Sequence, residues 1–197
     1  SHKETEWDAF FPTLDEMIAD GTIPPVIAVA PVTGDSYWVD SKAFGDYETA
    51  IIQDFIPYID GQYNTRKDRE GRILAGFSMG GYGALRYGLV YPDLFSSSIL
   101  LSPAVQDGEA PATSGAVERG AFNGDGETFD ETVWNARNYP EALKSYAGQD
   151  NRVSFYILAT DDDWNHLSEK EDLPDDAYRY NMEEQAVRLY TALHRQD

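Results

Sequence analysis

The spacing of apolar residues along the chain predicts helices that alternate with short buried strands. Apolar side chains at helical spacing predict helices over residues 7–18, 47–59 and 177–195. A further helix is expected over residues 79–91, which begin in a glycine-rich run. Continuous apolar runs, typical of strands buried on both faces, occur at 24–31, 72–78, 96–102 and 153–160. We expect a kink at Pro57 in the second helix. This order of elements indicates an α/β fold with a mostly parallel sheet.

The stretch from 103 to 152 breaks this alternation. It is rich in glycine and acidic residues and shows only short helical patterns, such as residues 130–137. A segment this long is not a plain connection, so we expect an irregular, cap-like insertion over the carboxyl edge of the sheet. The length of 197 residues suits a single domain, 1–197, that contains this insertion.

The charge of the chain narrows the choice of partners. It has 35 acidic and 15 basic residues and a formal net charge of −20. Such a surface repels phosphate groups, so we expect no nucleic-acid partner and no docking on anionic membranes. No apolar run reaches the length of a membrane span. The chain has no cysteine, which excludes disulfides and thiolate catalysis.

A glycine-flanked serine is the strongest candidate for chemistry. Residues 76–80 read GFSMG, which matches G-x-S-x-G at the point where a predicted strand ends and a helix begins. Such a nucleophile elbow exposes the serine hydroxyl, here Ser78, and sets the N–H of Met79 at a helix N-terminus, where it can stabilise an oxyanion. The alternative is a glycine-rich turn that binds an anion.

A serine nucleophile needs a base and an acid that orients the base. In chains with this elbow the acid follows the serine on a later strand. The run ATDDDW follows the last predicted strand and offers Asp161, Asp162 and Asp163. One of the three is expected to be the acid, and the others to be solvated.

These segments resemble the putative esterase family of α/β-hydrolases. The resemblance is carried by GFSMGGYGALRYGLVYPDLFSSSILLSPA, by GDSYWVD and by FIPYID. The family includes feruloyl, acetyl and tributyrin esterases, S-formylglutathione hydrolases and mycolyltransferases. The resemblance spans roughly residues 7–164 and implies an α/β-hydrolase fold with a serine-esterase activity.

The resemblance also implies roles for individual residues. Ser78 is the expected nucleophile and Met79 supplies an oxyanion N–H. The family acid commonly precedes an aromatic residue, so Asp163 before Trp164 matches best and Asp162 next. Tyr37 and Trp38 match an aromatic pair that lines the acyl or alcohol pocket, although packing in the core is an equal alternative for them.

Two family features have no match in this chain. The H-G motif that supplies a second oxyanion donor is absent, and so is the last strand with its catalytic histidine. The only histidines are His2, His166 and His194, none in the expected context. We therefore expect a hydrolase fold that lacks its first strands and its last. A further segment or a partner chain, including a second copy, is expected to cover the open sheet edge.

Three functional hypotheses follow. The first is a serine esterase that cleaves a small-molecule ester or an acyl ester of a carbohydrate. The second is an acyltransferase on the same site, and the third is a binding domain that has lost the base. No metal or organic cofactor is expected, because acyl transfer through a serine needs none. Residues 123–127, NGDGE, hint at a calcium loop but lack its glycine and terminal glutamate spacing.

The assignment of the acid predicts a ranking of three substitutions. Asp163→Asn should reduce kcat by up to about 10⁴-fold, because an amide favours the wrong tautomer of the histidine that it orients. Asp161→Asn and Asp162→Asn should each have a much smaller effect in the same ester-hydrolysis assay. A larger loss for Asp162→Asn would move the acid by one position.

Overall fold

The computed structural model describes residues 7–159 and 181–196. Its framework is a three-stranded parallel sheet whose strands are connected by helical segments. The first half contains α1 (Trp7–Ala19), β1 (Asp40–Ser41), β2 (Gly45–Asp46), α2 (Tyr47–Ala50), α3 (Ile56–Gln62), β3 (Ile73–Phe77) and α4 (Met79–Val90). The second half contains β4 (Ser97–Leu101), α5 (Gly115–Glu118), α6 (Glu131–Arg137), α7 (Tyr139–Tyr146), β5 (Ser154–Leu158) and α8 (Met182–His194). None of the described helices is long and apolar enough to cross a membrane.

The strands of the sheet lie in the order β3-β4-β5, and all are parallel. The predicted strands at 72–78, 96–102 and 153–160 are therefore confirmed, each slightly shorter than expected. Phe77, Leu101 and Leu158 are register partners at the carboxyl ends. Because parallel strands end at the same edge, everything that follows these three residues starts from one side of the sheet.

The expected strand at 24–31 does not form. Residues up to Val32 make one compact unit, and residues from Thr33 onward make another. In the first unit α1 confirms the predicted helix, but residues 24–31 lie in no helix or strand, and Val26 and Ile27 are 45% and 48% exposed. The predicted strand at 24–31 is therefore wrong. An apolar run becomes a strand only when neighbouring strands satisfy its backbone groups, which the sequence pattern does not reveal.

The helix over residues 47–62 changes its register in the middle. A π-helical segment, Ile51–Phe55, separates α2 from α3, and the Ile56 N–H bonds to the Ile51 carbonyl five residues earlier. Pro57 follows directly and has no N–H to continue an α-helical ladder. The predicted irregularity near Pro57 thus takes the form of a π-bulge.

One face of the sheet packs against α4. Leu100 is fully buried, and the Ser98 hydroxyl donates a 3.0 Å hydrogen bond to the Ala84 carbonyl on α4. A Cβ on Gly88 would come within 2.9 Å of the Phe155 ring of β5, so this glycine allows the close approach of helix and sheet. Most residues on the opposite face are exposed, including Tyr156 at 61% and Leu158 at 63%.

The segment from 103 to 152 contributes directly to the core. Besides the short helices α5 to α7 it supplies Phe122 and Trp134, both fully buried. Their rings pack on each other at 4.8 Å between centroids, and Trp134 stacks on Tyr82 of α4 at 6.0 Å. The description of this segment as a cap, and of the chain as a single domain, stays a prediction.

A buried ion pair joins α2 to α4. Glu48 is 5% exposed and accepts hydrogen bonds from Arg86 Nε at 2.6 Å and Arg86 Nη2 at 3.2 Å. The Tyr91 hydroxyl donates to the same carboxylate at 2.8 Å, and Arg86 Nη1 donates to the Arg137 carbonyl at 2.9 Å. Both charges are therefore paired and further hydrogen-bonded, as burial requires.

The first prediction from the fold concerns this pair. Glu48→Gln should lower the free energy of unfolding by about 3 kcal/mol, because it leaves the Arg86 charge buried without its counter-charge. Glu141→Gln is the matched control, since Glu141 pairs with Lys144 on the surface, where both side chains are more than half exposed. The control should change stability by less than about 1 kcal/mol in the same urea titration. Equal effects of the two substitutions would contradict the role of burial.

The second prediction concerns the glycines of α4. A Cβ at Gly83 would lie 2.5 Å from the Trp38 ring, whereas a Cβ at Gly80 meets nothing within 4 Å among the described residues. Gly83→Ala should therefore cost about 1–3 kcal/mol of unfolding free energy through overpacking. Gly80→Ala should be neutral or stabilising by up to about 1 kcal/mol, because alanine favours the helix. A larger cost at Gly80 would contradict this account of α4.

Candidate active site

Ser78 has the backbone conformation of a nucleophile elbow. It is the single residue between β3 and α4, with φ 52° and ψ −114°. A positive φ is uncommon for a residue other than glycine and persists only where the surroundings enforce it. Ser78 is half-buried, and its hydroxyl makes no hydrogen bond with any described residue. Within the described part of the chain, the turn therefore presents a serine whose hydroxyl takes no part in holding the fold.

Glycines make this turn sterically feasible. A Cβ on Gly76 would lie 2.0 Å from the Gly80 carbonyl oxygen, and a Cβ on Gly81 would lie 2.8 Å from the Pro103 Cα. Any larger residue at 76 would thus separate the end of β3 from the first turn of α4. The G-x-S-x-G pattern reflects this contact, with Gly76 supplying the space and Gly80 the backbone that fills it.

The backbone groups of Ser78 are held by the strand next to it. Its N–H donates to the Leu101 carbonyl at 2.9 Å, and its carbonyl accepts from Tyr82 N at 3.1 Å and Ala104 N at 2.9 Å. Ser102, which lies between Leu101 and Ala104 in the chain, also has a positive φ, 37°. Its N–H donates to the Leu158 carbonyl at 2.6 Å.

The N–H of Met79 lies at the N-terminus of α4. Met79 is the first residue of α4, so its N–H has no carbonyl four residues earlier within the helix. The positive end of the helix dipole points the same way. The Met79 side chain packs against the core cluster. These features fit the expected role of Met79 as a backbone oxyanion donor.

The aromatic pair Tyr37 and Trp38 divides between core and elbow. Tyr37 is 5% exposed and packs edge-on against Tyr82 and Phe122, with ring centroids 5.4 Å and 5.3 Å away. Burial raises the pKa of the Tyr37 hydroxyl to about 12, so the phenol is protonated at neutral pH. The packing alternative, rather than a pocket-lining role, accounts for this geometry of Tyr37.

Trp38 packs on α4 at Gly83. Its ring lies where a Cβ of Gly83 would be, and its carbonyl accepts a 2.8 Å hydrogen bond from the Tyr87 hydroxyl. Gly83 therefore makes room for Trp38, whereas Gly88 allows the close approach of α4 to the sheet. The indole Nε1 is buried and has no hydrogen-bond partner among the described residues.

The other predicted site residues and histidines lie outside the described part of the chain, except for His194. Asp163 and Trp164 lie outside the described residues, as do Asp161, Asp162, His2 and His166. His194 lies at the end of α8, where its ring stacks on Tyr190 at 6.0 Å and 3° between the planes. Ser102 and Ala104 received no role from the sequence, because their contacts to Ser78 depend on strand register and leave no local motif. The only sequence signal near these positions is Pro103, a proline directly after a predicted strand, which is typical of a turn.

The sequence of the chain is similar to those of known esterases. A family model described as "Putative esterase" matches residues 5–169. An esterase of Mycobacterium tuberculosis is 35% identical over 79 residues, 38% of this chain and 17% of that protein. The endo-1,4-beta-xylanase/feruloyl esterase of Xylanibacter ruminicola is 36% identical over 93 residues, 45% of this chain and 13% of that protein.

The fold of the chain is similar to that of a solved esterase. A solved ferulic acid esterase superposes with a TM-score of 0.65 at 22% sequence identity, over 97% of this chain and 66% of that one. The sequence matches to the two relatives named above span less than a fifth of the lengths of those proteins. With an α/β-hydrolase framework and a match over residues 5–169, the chain belongs to the putative esterase family.

Proposed function

We propose that this protein hydrolyses carboxylic esters through an acyl-enzyme on Ser78. The observation that carries the proposal is the backbone of Ser78, held at φ 52° between a parallel strand and a helix. A glycine-rich turn that only bound an anion would not need a strained serine with its hydroxyl free of described partners. Membership of the putative esterase family supports the same reaction class.

The reaction takes two steps. In the first, Ser78 Oγ attacks the ester carbonyl carbon while its proton passes to a base, and the carbonyl oxygen becomes an oxyanion near the Met79 N–H. Collapse of this intermediate breaks the bond to the alcohol, which leaves with the proton. In the second step water attacks the acyl group on Ser78, and the acid is released as the serine regains its proton.

Other residues have supporting roles in this proposal. Asp163 is the acid that orients the base, and it follows β5, whose carboxyl end is in register with that of β3. Trp38 and Trp164 line the substrate pocket. Tyr37 supports Trp38 from the core, given its burial. An acyltransferase would use the same first step with an alcohol in place of water, so acceptor competition separates the two reactions.

A neutral acyl ester of a carbohydrate is the proposed substrate class. The similarity to a protein named endo-1,4-beta-xylanase/feruloyl esterase supports it, since that name joins a polysaccharide and an aryl acid ester. The net charge of −20 also favours a neutral substrate over an anionic one. A panel that compares methyl ferulate, acetylated sugars and aryl acetates would rank the acyl groups.

The test is active-site labelling of the full-length protein with a fluorophosphonate probe. Ser78 should be the one serine labelled, and Ser78→Ala should lower kcat by about 10⁴-fold or more, as the loss of a nucleophile does. Ser154→Ala is the control, because Ser154 is exposed at the amino end of β5, away from the elbow. Labelling of a different serine in an active Ser78→Ala protein would refute the proposal.

A further inference from the structure

The turn that follows β4 brackets the nucleophile. We define the β4 turn as residues 102–105. Just before it, the Leu101 carbonyl accepts the Ser78 N–H at 2.9 Å, and within it Ala104 N–H donates to the Ser78 carbonyl at 2.9 Å. Both backbone groups of Ser78 are thereby fixed by one neighbouring segment.

The bond from Ala104 is additional to the helix. The Ser78 carbonyl already accepts from Tyr82 N at 3.1 Å, the ordinary first bond of α4. A second donor on the same oxygen restricts rotation of the peptide unit that begins there. The peptide unit is planar, so the Ser78 carbonyl and the Met79 N–H point in opposite, fixed directions. A hydrogen bond that fixes the direction of the Ser78 carbonyl therefore also fixes the direction of the Met79 N–H.

The geometry of the β4 turn fixes the direction of the Ala104 N–H. Ser102 has φ 37° and is 8% exposed, and its N–H is held by the Leu158 carbonyl at 2.6 Å. Pro103 lies against Gly81, where a Cβ would come within 2.8 Å of its Cα. The Val105 N–H then bonds to the Pro103 carbonyl at 2.8 Å, which closes a three-residue turn centred on Ala104.

We infer that Ala104 is a positioning residue for ester hydrolysis. Its N–H fixes the peptide plane between Ser78 and Met79, and so points the Met79 N–H at the oxyanion that forms during attack. The inference rests on the proposed function, because it assigns a purpose to the Ser78 and Met79 backbone in that reaction. It predicts a defect in the rate of attack rather than in substrate binding.

Ala104→Pro is the direct test, because it removes the N–H that bonds to the Ser78 carbonyl and places the ring Cδ against that oxygen, so the carbonyl must turn away from its present direction. Ala104 has no positive φ, and the centre of an inverse γ-turn, at about −75°, is close to the φ that proline prefers, about −65°. We expect kcat for an aryl ester to fall at least about tenfold, with KM within about twofold, since oxyanion donors act on the transition state. The rate of fluorophosphonate labelling per site should fall in parallel.

The labelling endpoint separates positioning from folding. A full endpoint with a slow rate supports the inference, whereas a reduced endpoint with the parental rate per site shows a folding role and overturns it. Ala104→Gly keeps the N–H and should restore most of the labelling rate. If Ala104→Pro does not fold, Gly81→Ala applies the same test, since its Cβ would push Pro103, and an unchanged rate there also overturns the inference.

The parent protein separates this inference from the proposed function. If the parent is not labelled at Ser78, the proposed function itself fails. If the parent is labelled at Ser78 and Ala104→Pro matches it in rate and kcat, only the positioning role fails.

Discussion

The contact between the end of β3 and the first turn of α4 is the constraint on which the site depends. Without a side chain at Gly76, the Gly80 carbonyl can approach to within 2.0 Å of where a Cβ would stand. The chain must therefore reverse direction within one residue, and Ser78 takes the positive φ that this reversal demands. The position of the candidate nucleophile is thus a consequence of backbone packing.

Features that depend on local sequence could be predicted. The elbow, α4 and the three parallel strands each follow from a short run of residues, namely a glycine pattern, a helical start or an apolar stretch bounded by polar ones. The place of the elbow at the carboxyl edge of the sheet followed from the alternation of strands and helices. The sequence alone therefore identifies Ser78 and Met79 as candidate site residues.

Features that depend on distant partners could not be predicted. The segment 24–31 has a strand-like composition but forms no strand, because composition does not supply a neighbour. Tyr37 and Trp38 are adjacent in sequence, yet one joins the aromatic core and the other packs on Gly83. Ala104 lies 26 residues from Ser78, and only the register between β3 and β4 brings its N–H to the Ser78 carbonyl.

Backbone strain in the described residues collects around the start of α4. The four non-glycine residues with positive φ are Tyr37, Trp38, Ser78 and Ser102. Ser78 precedes the helix, Trp38 packs on Gly83, and Pro103, next to Ser102, packs on Gly81. Each strained residue costs about 1–3 kcal/mol, so together they approach the net stability of a typical domain, about 5–15 kcal/mol.

Such strain persists only if relaxing it would break something more costly. Here relaxation of Ser78 would break its bonds to Leu101 and Ala104, and relaxation of Ser102 would break the bond that ties β4 to Leu158 of β5. The sheet therefore holds the elbow in its strained form. It follows that loss of sheet register would release Ser78 and the Met79 N–H together, so the geometry of the site and the pairing of β3, β4 and β5 form one cooperative unit.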